Sequence, residues 1–230
     1  MAGHAGMSVK VHPSFVRIAH WINAAAIIIM IGSGWHIYNN HPIFEWLTFP
    51  RWATLGGDPE ITYKLNKDVG FGNALLWHFA AMWVFFLNGT AALIYGAATG
   101  RLRRMWFPIS WSGFWGDFIN AARFRLSHDD PTIYNAVQRV SYVGVVAAAL
   151  LVFVSGLAIW KPVQFQFVTA IFWDFQGARL AHFIGMAGIV LFLIVHVALA
   201  LLVPSTIKAM ITGSVRVKAK HDAAMPAAGE

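Results

Sequence analysis

The sequence predicts an all-α integral membrane protein, a four-helix bundle, and three observations carry that reading. Hydrophobic residues make up 58% of the 230-residue chain and charged residues 12%, against about 25% charged in an ordinary soluble domain. Four segments, residues 18–38, 74–98, 140–160 and 178–203, approach or exceed the roughly twenty apolar residues that cross a hydrocarbon core. Inside those segments lie His20, His78, His182 and His196, where an imidazole without a ligand, hydrogen bond or water is costly. Four helices and their loops consume most of the chain, so residues 1–217 read as one membrane domain. Residues 218–230 are small and polar and read as a disordered cytoplasmic tail.

Taken in order, the first segment is too long for a secretory h-region and lacks a small-residue cleavage site, so it is expected to remain as the first helix. The connection 39–72 is long and aromatic, with Phe44, Trp46, Phe49, Trp52 and Phe71 among its Pro and Gly residues. Connections of that length usually meet a partner, although an interfacial aromatic belt accounts for part of such a pattern. After the second segment, Trp111, Phe114, Trp115, Phe118, Ile119 and Ala122 recur at helical spacing with polar residues between them, the pattern of an amphipathic helix lying in the cytoplasmic interface. Of the 17 basic residues, twelve fall on the side of both termini and five on the other, which places both termini in the cytoplasm. Acidic residues divide evenly, so the net charge of +7 sits on the cytoplasmic side, where it serves topology and lipid headgroups; no nucleic-acid partner is expected. The absence of cysteine excludes disulfides, iron–sulfur clusters and thioether-linked haem.

Helix geometry then assigns the histidines to depths. His182 and His196 are fourteen residues apart, nearly four turns, so they share a helix face about 21 Å apart along its axis. His20 enters from the cytoplasmic side and His78 from the outer side. The depth-matched pairs are therefore His78 with His182 and His20 with His196. Each could supply two axial imidazoles to one iron, and any haem must be held by coordination and packing alone. Gly34 lies fourteen residues beyond His20 on the same face, at the depth of the outer centre. Gly89, eleven beyond His78 and about 20° off its face, lies at the depth of the inner one. A missing side chain at either place lets a helix approach a macrocycle, and it equally serves helix–helix contact. Arg17 and Arg179 sit three residues before His20 and His182, where a guanidinium suits a propionate or simply snorkels to the membrane edge. The six other histidines read as surface or interface residues; His36 is about 160° around the helix from His20, and His36, His41 and His128 are candidates for a proton path.

The stretch Arg17-Ile18-Ala19-His20-Trp21-Ile22-Asn23 resembles the Arg-x-x-His-Trp start of bacterial cytochrome b561 proteins, nickel–iron hydrogenase b-type cytochromes and formate dehydrogenase gamma subunits. The resemblance continues at His78, at residues 134–139 and at Gly177-Ala178-Arg179-Leu180-Ala181-His182 with His196, and covers nearly all the chain through Gly213. The regions at Trp35, at 156–162 and at 210–213 are most similar to cytochrome b subunits labelled thiosulfate reductase type. Such a resemblance implies two haem b groups, quinone as an exchangeable substrate, and a molybdopterin-dependent oxidoreductase partner. The long outer loop departs from the short cytochrome b561 proteins and favours a docking surface for a periplasmic subunit or electron carrier.

The expected function is electron transfer across the membrane between that partner and the quinone pool, in an electron-transfer subunit with no catalytic residue of its own. A homodimer is compatible with the chain. Quinone is expected beside the inner haem, where Asn135 and Gln138 share a face one turn apart, near His128 and Asp130. Residues 134–139 resemble the Tyr-Asn-Ala-Gly-Gln-Lys stretch of formate dehydrogenase gamma subunits, with Val137 in place of glycine. Helix capping and headgroup contact explain the two amides equally well. Three rival functions remain open at the level of sequence: a self-contained quinone oxidoreductase acting on a small outer-face substrate such as superoxide, a haem-free histidine-lined transporter, and a passive anchor.

Overall fold

The computed structural model of the chain describes residues 7–56, 69–108, 110–123 and 136–217. Its long helices are α1 (Ser14–Asn40), α2 (Val69–Ala98), α5 (Ala136–Trp160) and α7 (Phe175–Leu202). These contain the four expected spans, the fourth but for its last residue Val203, and each is long and apolar enough to cross a membrane. Shorter helices fill the connections: α3 (Arg101–Trp106), α4 (Trp111–Ala122), α6 (Gln166–Ile171) and α8 (Pro204–Thr212). Helix α4 is the expected amphipathic one; it leaves Trp111, Trp115 and Ile119 exposed, as an interfacial helix must in water. Its Asp117 accepts a hydrogen bond from the Ala136 backbone N–H at 2.8 Å, placing a carboxylate at the N-terminus of α5.

Helix α1 packs closely along α2, and α5 along α7. The fully buried apolar residues on these four helices are mostly small (Ala19, Ala26, Ala74, Ala81, Ala158 and Ala178), which lets backbones approach as membrane helices require. The two helix pairs stand further from each other and meet through long side chains. Phe86 stacks on Phe153 at 4.9 Å, Phe79 meets Trp160 at 5.4 Å, and Tyr38 meets Phe183 at 5.3 Å. Two helical hairpins facing each other across a seam thus frame the sites.

The outer connection does not simply cap the bundle. Asn39 pairs with the Phe49 backbone in both directions, at 2.8 and 2.9 Å, and Trp35 stacks flat on Phe49 at 4.5 Å. A 3₁₀ turn at Arg51–Ala53 follows, and the Leu55 N–H then donates to the Gly32 carbonyl at 2.9 Å. Gly32 is eight residues short of the end of α1, about 12 Å down its side, so the loop folds back along the helix. Residues 57–68 lie outside the described residues, as does the tail 218–230.

Segments near the two ends of the membrane domain are joined, a pairing the sequence reading did not include. Strand β1 (Met7–Lys10) pairs antiparallel with β2 (Ser214–Val217). The N–H groups of Val11 and His12 both donate to the Gly213 carbonyl, at 2.9 and 3.2 Å, and Arg17 donates to the Ile211 carbonyl. Burial, Arg101 and Arg17, in that order, hold the His12 imidazole below its usual value of 6.5. The folded clasp therefore carries a neutral His12 at neutral pH, whereas the separated strands take up a proton more readily. Stability from this group rises with pH and is lost as pH falls from 6.5 towards the lower folded value. Amide protection in 7–10 and 214–217, measured against the intrinsic exchange rate at each pH, is expected to fall as pH drops below about 6.5. A His12→Gln variant should flatten that dependence; an unchanged slope in the variant would assign it elsewhere.

Candidate metal centres

The structure brings together the pairs that depth alone suggested. His78 on α2 and His182 on α7 have ring centroids 6.4 Å apart and planes inclined at 58°. His20 on α1 and His196 on α7 are 6.1 Å apart and inclined at 62°. Two imidazoles bound to opposite sides of one metal through nitrogens at about 2 Å place their ring centres about 6 Å apart. Among the described residues, no group of three or more His, Asp or Glu gathers into a conventional metal site. Each pair offers two ligands, the number wanted by an iron whose other four positions belong to a porphyrin.

The outer pair is held by a repeated device. Ser33 and Gly34 on α1 face the His78 ring, and Ser155 and Gly156 on α5 face the His182 ring. Ser33 Oγ lies 3.1 Å from His78 Nδ1 and Ser155 Oγ 3.2 Å from His182 Nδ1. A methyl group at Gly34 would stand 3.3 Å from His78 Cε1, and one at Gly156 3.4 Å from His182 Cε1. Both glycines therefore admit an imidazole edge where a side chain would crowd it. The inner pair is framed differently: His196 stacks on Phe192 at 5.4 Å and Trp21 meets His20 edge-on at 5.3 Å. Close by, Asn88 donates to the Ala19 carbonyl and to Asn23 Oδ1, both at 2.8 Å, tying α2 to α1.

Other expected site residues fall less simply. Gly34 meets the His78 ring, but Gly89 has nothing nearer than Asn23 Nδ2 at 4.0 Å from an added methyl. Arg17 and Arg179 already have protein acceptors. Arg17 binds the Ile211 carbonyl and Ser14, and Arg179 binds Gln176 at 2.8 Å and the His41 carbonyl. Arg17 Nε alone among those guanidinium nitrogens is buried without a partner. Gln138 is exposed on the first turn of α5; Asn135, His128 and Asp130 lie outside the described residues. His36 departs from the surface position read from the sequence. It is 1% exposed, and its Nδ1 has no hydrogen-bond partner among the described residues. The returning loop is bonded at Gly32, one turn away on the same helix face. Ser33, Ser155 and Gly156 were missed as site residues, although Ser-Gly stands in only two of the four apolar segments.

Residues 11–213 match the family model described as prokaryotic cytochrome b561. A protein of Azospira oryzae, provisionally named protein-methionine-sulfoxide reductase subunit YedZ1, is 39% identical over 203 residues, spanning 88% of this chain and 96% of that one. Two proteins provisionally named Ni/Fe-hydrogenase B-type cytochrome subunits are each 25% identical. The one from Bradyrhizobium diazoefficiens aligns over 83% of this chain and 76% of its own, and the one from Cupriavidus necator over 86% and 82%. No solved structure matches. The chain belongs to the prokaryotic cytochrome b561 family, as a multi-pass membrane electron-transfer protein of the b type.

Proposed function

We propose that this cytochrome b561-family chain holds two b haems and passes single electrons across the bacterial inner membrane, between an oxidoreductase on its outer side and quinone. The observation that carries the reading is the pair of histidine pairs, 6.4 and 6.1 Å between ring centres, on helices that span the membrane. His78 and His182 hold the outer haem and His20 and His196 the inner one. Haem bound in this way supplies a one-electron carrier with no open position for substrate. The chain's own work is to place the imidazoles, exclude water from them and fix their ring nitrogens. Arg17, with its unpartnered Nε near the inner pair, and Arg179 near the outer pair are the cations available to propionates.

The relatives' names, one a methionine-sulfoxide reductase subunit and two hydrogenase subunits, support a role as the membrane member of a larger oxidoreductase. A molybdopterin-dependent partner is the class the sequence resemblance implies. Its docking face is the outer one, where Trp46, Trp52 and Trp173 are 81%, 88% and 91% exposed. Quinone exchange belongs to the side of the termini, with Gln138 and Asn135 as hydrogen-bond donors to its carbonyls.

The test is direct. Purified protein should contain two non-covalent haems per chain, reducible from the outer side and reoxidised by a quinone analogue. Replacing both Asn135 and Gln138 by Leu should leave both haems and their reduction intact while slowing reoxidation about tenfold, the order of one hydrogen-bonded carbonyl contact. Fewer than two haems would overturn the proposal, and unaffected reoxidation would move quinone away from these amides.

A further inference from the structure

We infer that Ser33 and Ser155 are positioning residues that fix the ring tautomer of the outer histidine pair and hold that centre at a lower redox potential than the inner one. The inference rests on the reading that each pair ligates a haem. Its argument is a count of hydrogens. Each serine hydroxyl has one proton. Ser33 Oγ lies 2.6 Å from the Ile29 carbonyl, and Ser155 Oγ lies 2.6 Å from the Leu151 carbonyl, four residues back in each helix. A carbonyl oxygen only accepts, so both hydroxyl protons are committed there. The contacts at 3.1 and 3.2 Å to His78 Nδ1 and His182 Nδ1 can then run only one way, with the ring N–H donating to the hydroxyl oxygen; each ring also hydrogen-bonds a backbone carbonyl of the same serine turn, that of Met30 for His78 and of Val152 for His182.

Two consequences follow. The proton of each ring is held at Nδ1, which leaves Nε2 bare as a metal ligand on both sides of the outer centre. Each ring also stands at the end of a polarised chain, Nδ1–H to hydroxyl to carbonyl, buried where such chains are strongest: both serines are 0% exposed. Donation from the far nitrogen makes an imidazole a more electron-rich ligand and favours the ferric state. Among the described residues, neither ring of the inner pair, His20 or His196, has a hydrogen-bond partner; their neighbours are the rings of Trp21 and Phe192. One asymmetry in four side chains thus orders the two centres, with electrons running from the outer haem to the inner.

The test is an equilibrium redox titration of the full-length protein, following each haem's absorbance and its ferric electron-spin resonance. Ser33→Ala and Ser155→Ala should each shift the outer haem three- to tenfold towards the reduced form, where tenfold is about 59 mV for one electron. The double variant should shift it further, with the inner haem unmoved. If an alanine variant releases the outer haem, a pair of matched shapes carries the test. Threonine, which keeps the hydroxyl, should hold the wild-type midpoint, and valine should shift it. Two haems with an unmoved outer midpoint in the alanine or valine variants overturns the serine role alone. A shift of both haems by the same factor also overturns it, because that is a general loosening. Fewer than two haems in the wild-type protein overturns the haem assignment, and this inference with it.

Discussion

Replacing His182 with alanine is expected to lower bound haem from two per chain to one, and to remove the outer haem's spectrum while leaving the inner one. His182 faces His78 at 6.4 Å between ring centres, and its Nδ1 lies 3.2 Å from the Ser155 hydroxyl oxygen. The variant leaves His78 as a single axial ligand in an apolar seam with no other His, Asp or Glu gathered there among the described residues. Electron delivery from the outer face to quinone should fall by more than about 100-fold, beyond the 10–100-fold that loss of a ligand's hydrogen-bonding partner costs. His196→Ala, fourteen residues along the same helix, should have the converse spectrum, losing the inner haem and keeping the outer. The control is His36→Ala. His36 is 1% exposed but belongs to neither pair, so its loss should spare both haems. Two haems retained by His182→Ala would overturn the ligand assignment.

That contrast between His182 and His36 shows what was legible in the sequence. Spans are a one-dimensional property of length and hydropathy, and the four expected segments match α1, α2, α5 and α7, with Val203 alone beyond a helix end. Depth is nearly one-dimensional too, since each residue of a spanning helix rises by about 1.5 Å, and this alone paired His78 with His182 and His20 with His196. Lateral neighbours are not of this kind. A loop from beyond the helix end returns to Gly32, one turn from the buried His36, and no periodicity in α1 records that return. The β1–β2 clasp joins residues more than 200 apart through two four-residue strands, too short to carry an alternating pattern. The serine hydroxyls escaped notice for a subtler reason: serine in a membrane helix normally bonds its own turn, as Ser33 and Ser155 do, and only the neighbouring helix reveals that the oxygen is used twice.

The second large effect is expected at Gly177, where alanine should destabilise the protein by about 3 kcal/mol, the upper end of overpacking costs. Helix α7 carries one histidine of each pair, so the turn that starts it fixes the height of both. Trp173, just before it, has φ of 68°, an uncommon conformation for a bulky side chain, and is 91% exposed, so the turn rather than packing imposes it. Asp174 caps the helix by accepting from the Gly177 N–H at 2.7 Å. This turn aims the Phe172 carbonyl at the first helical residues, and a methyl group on Gly177 would lie 1.9 Å from that oxygen. The obstacle is backbone and cannot swing aside as a side chain tip would. Nor is it free to move as a unit, because Phe172 packs against the buried cluster of Ala158, Val168 and Ala178. Relief requires either breaking the Asp174 cap or tilting α7, and tilting displaces His182 and His196 together. Gly177→Ala should therefore melt well below the wild type in detergent and lose haem from both sites. Gly144→Ala is the matched comparison: on α5, with nothing within 4 Å of the added methyl, it should be neutral or stabilising by up to about 1 kcal/mol. If Gly177→Ala instead melts with the wild type and keeps both haems, the turn at Trp173 does not set the position of α7.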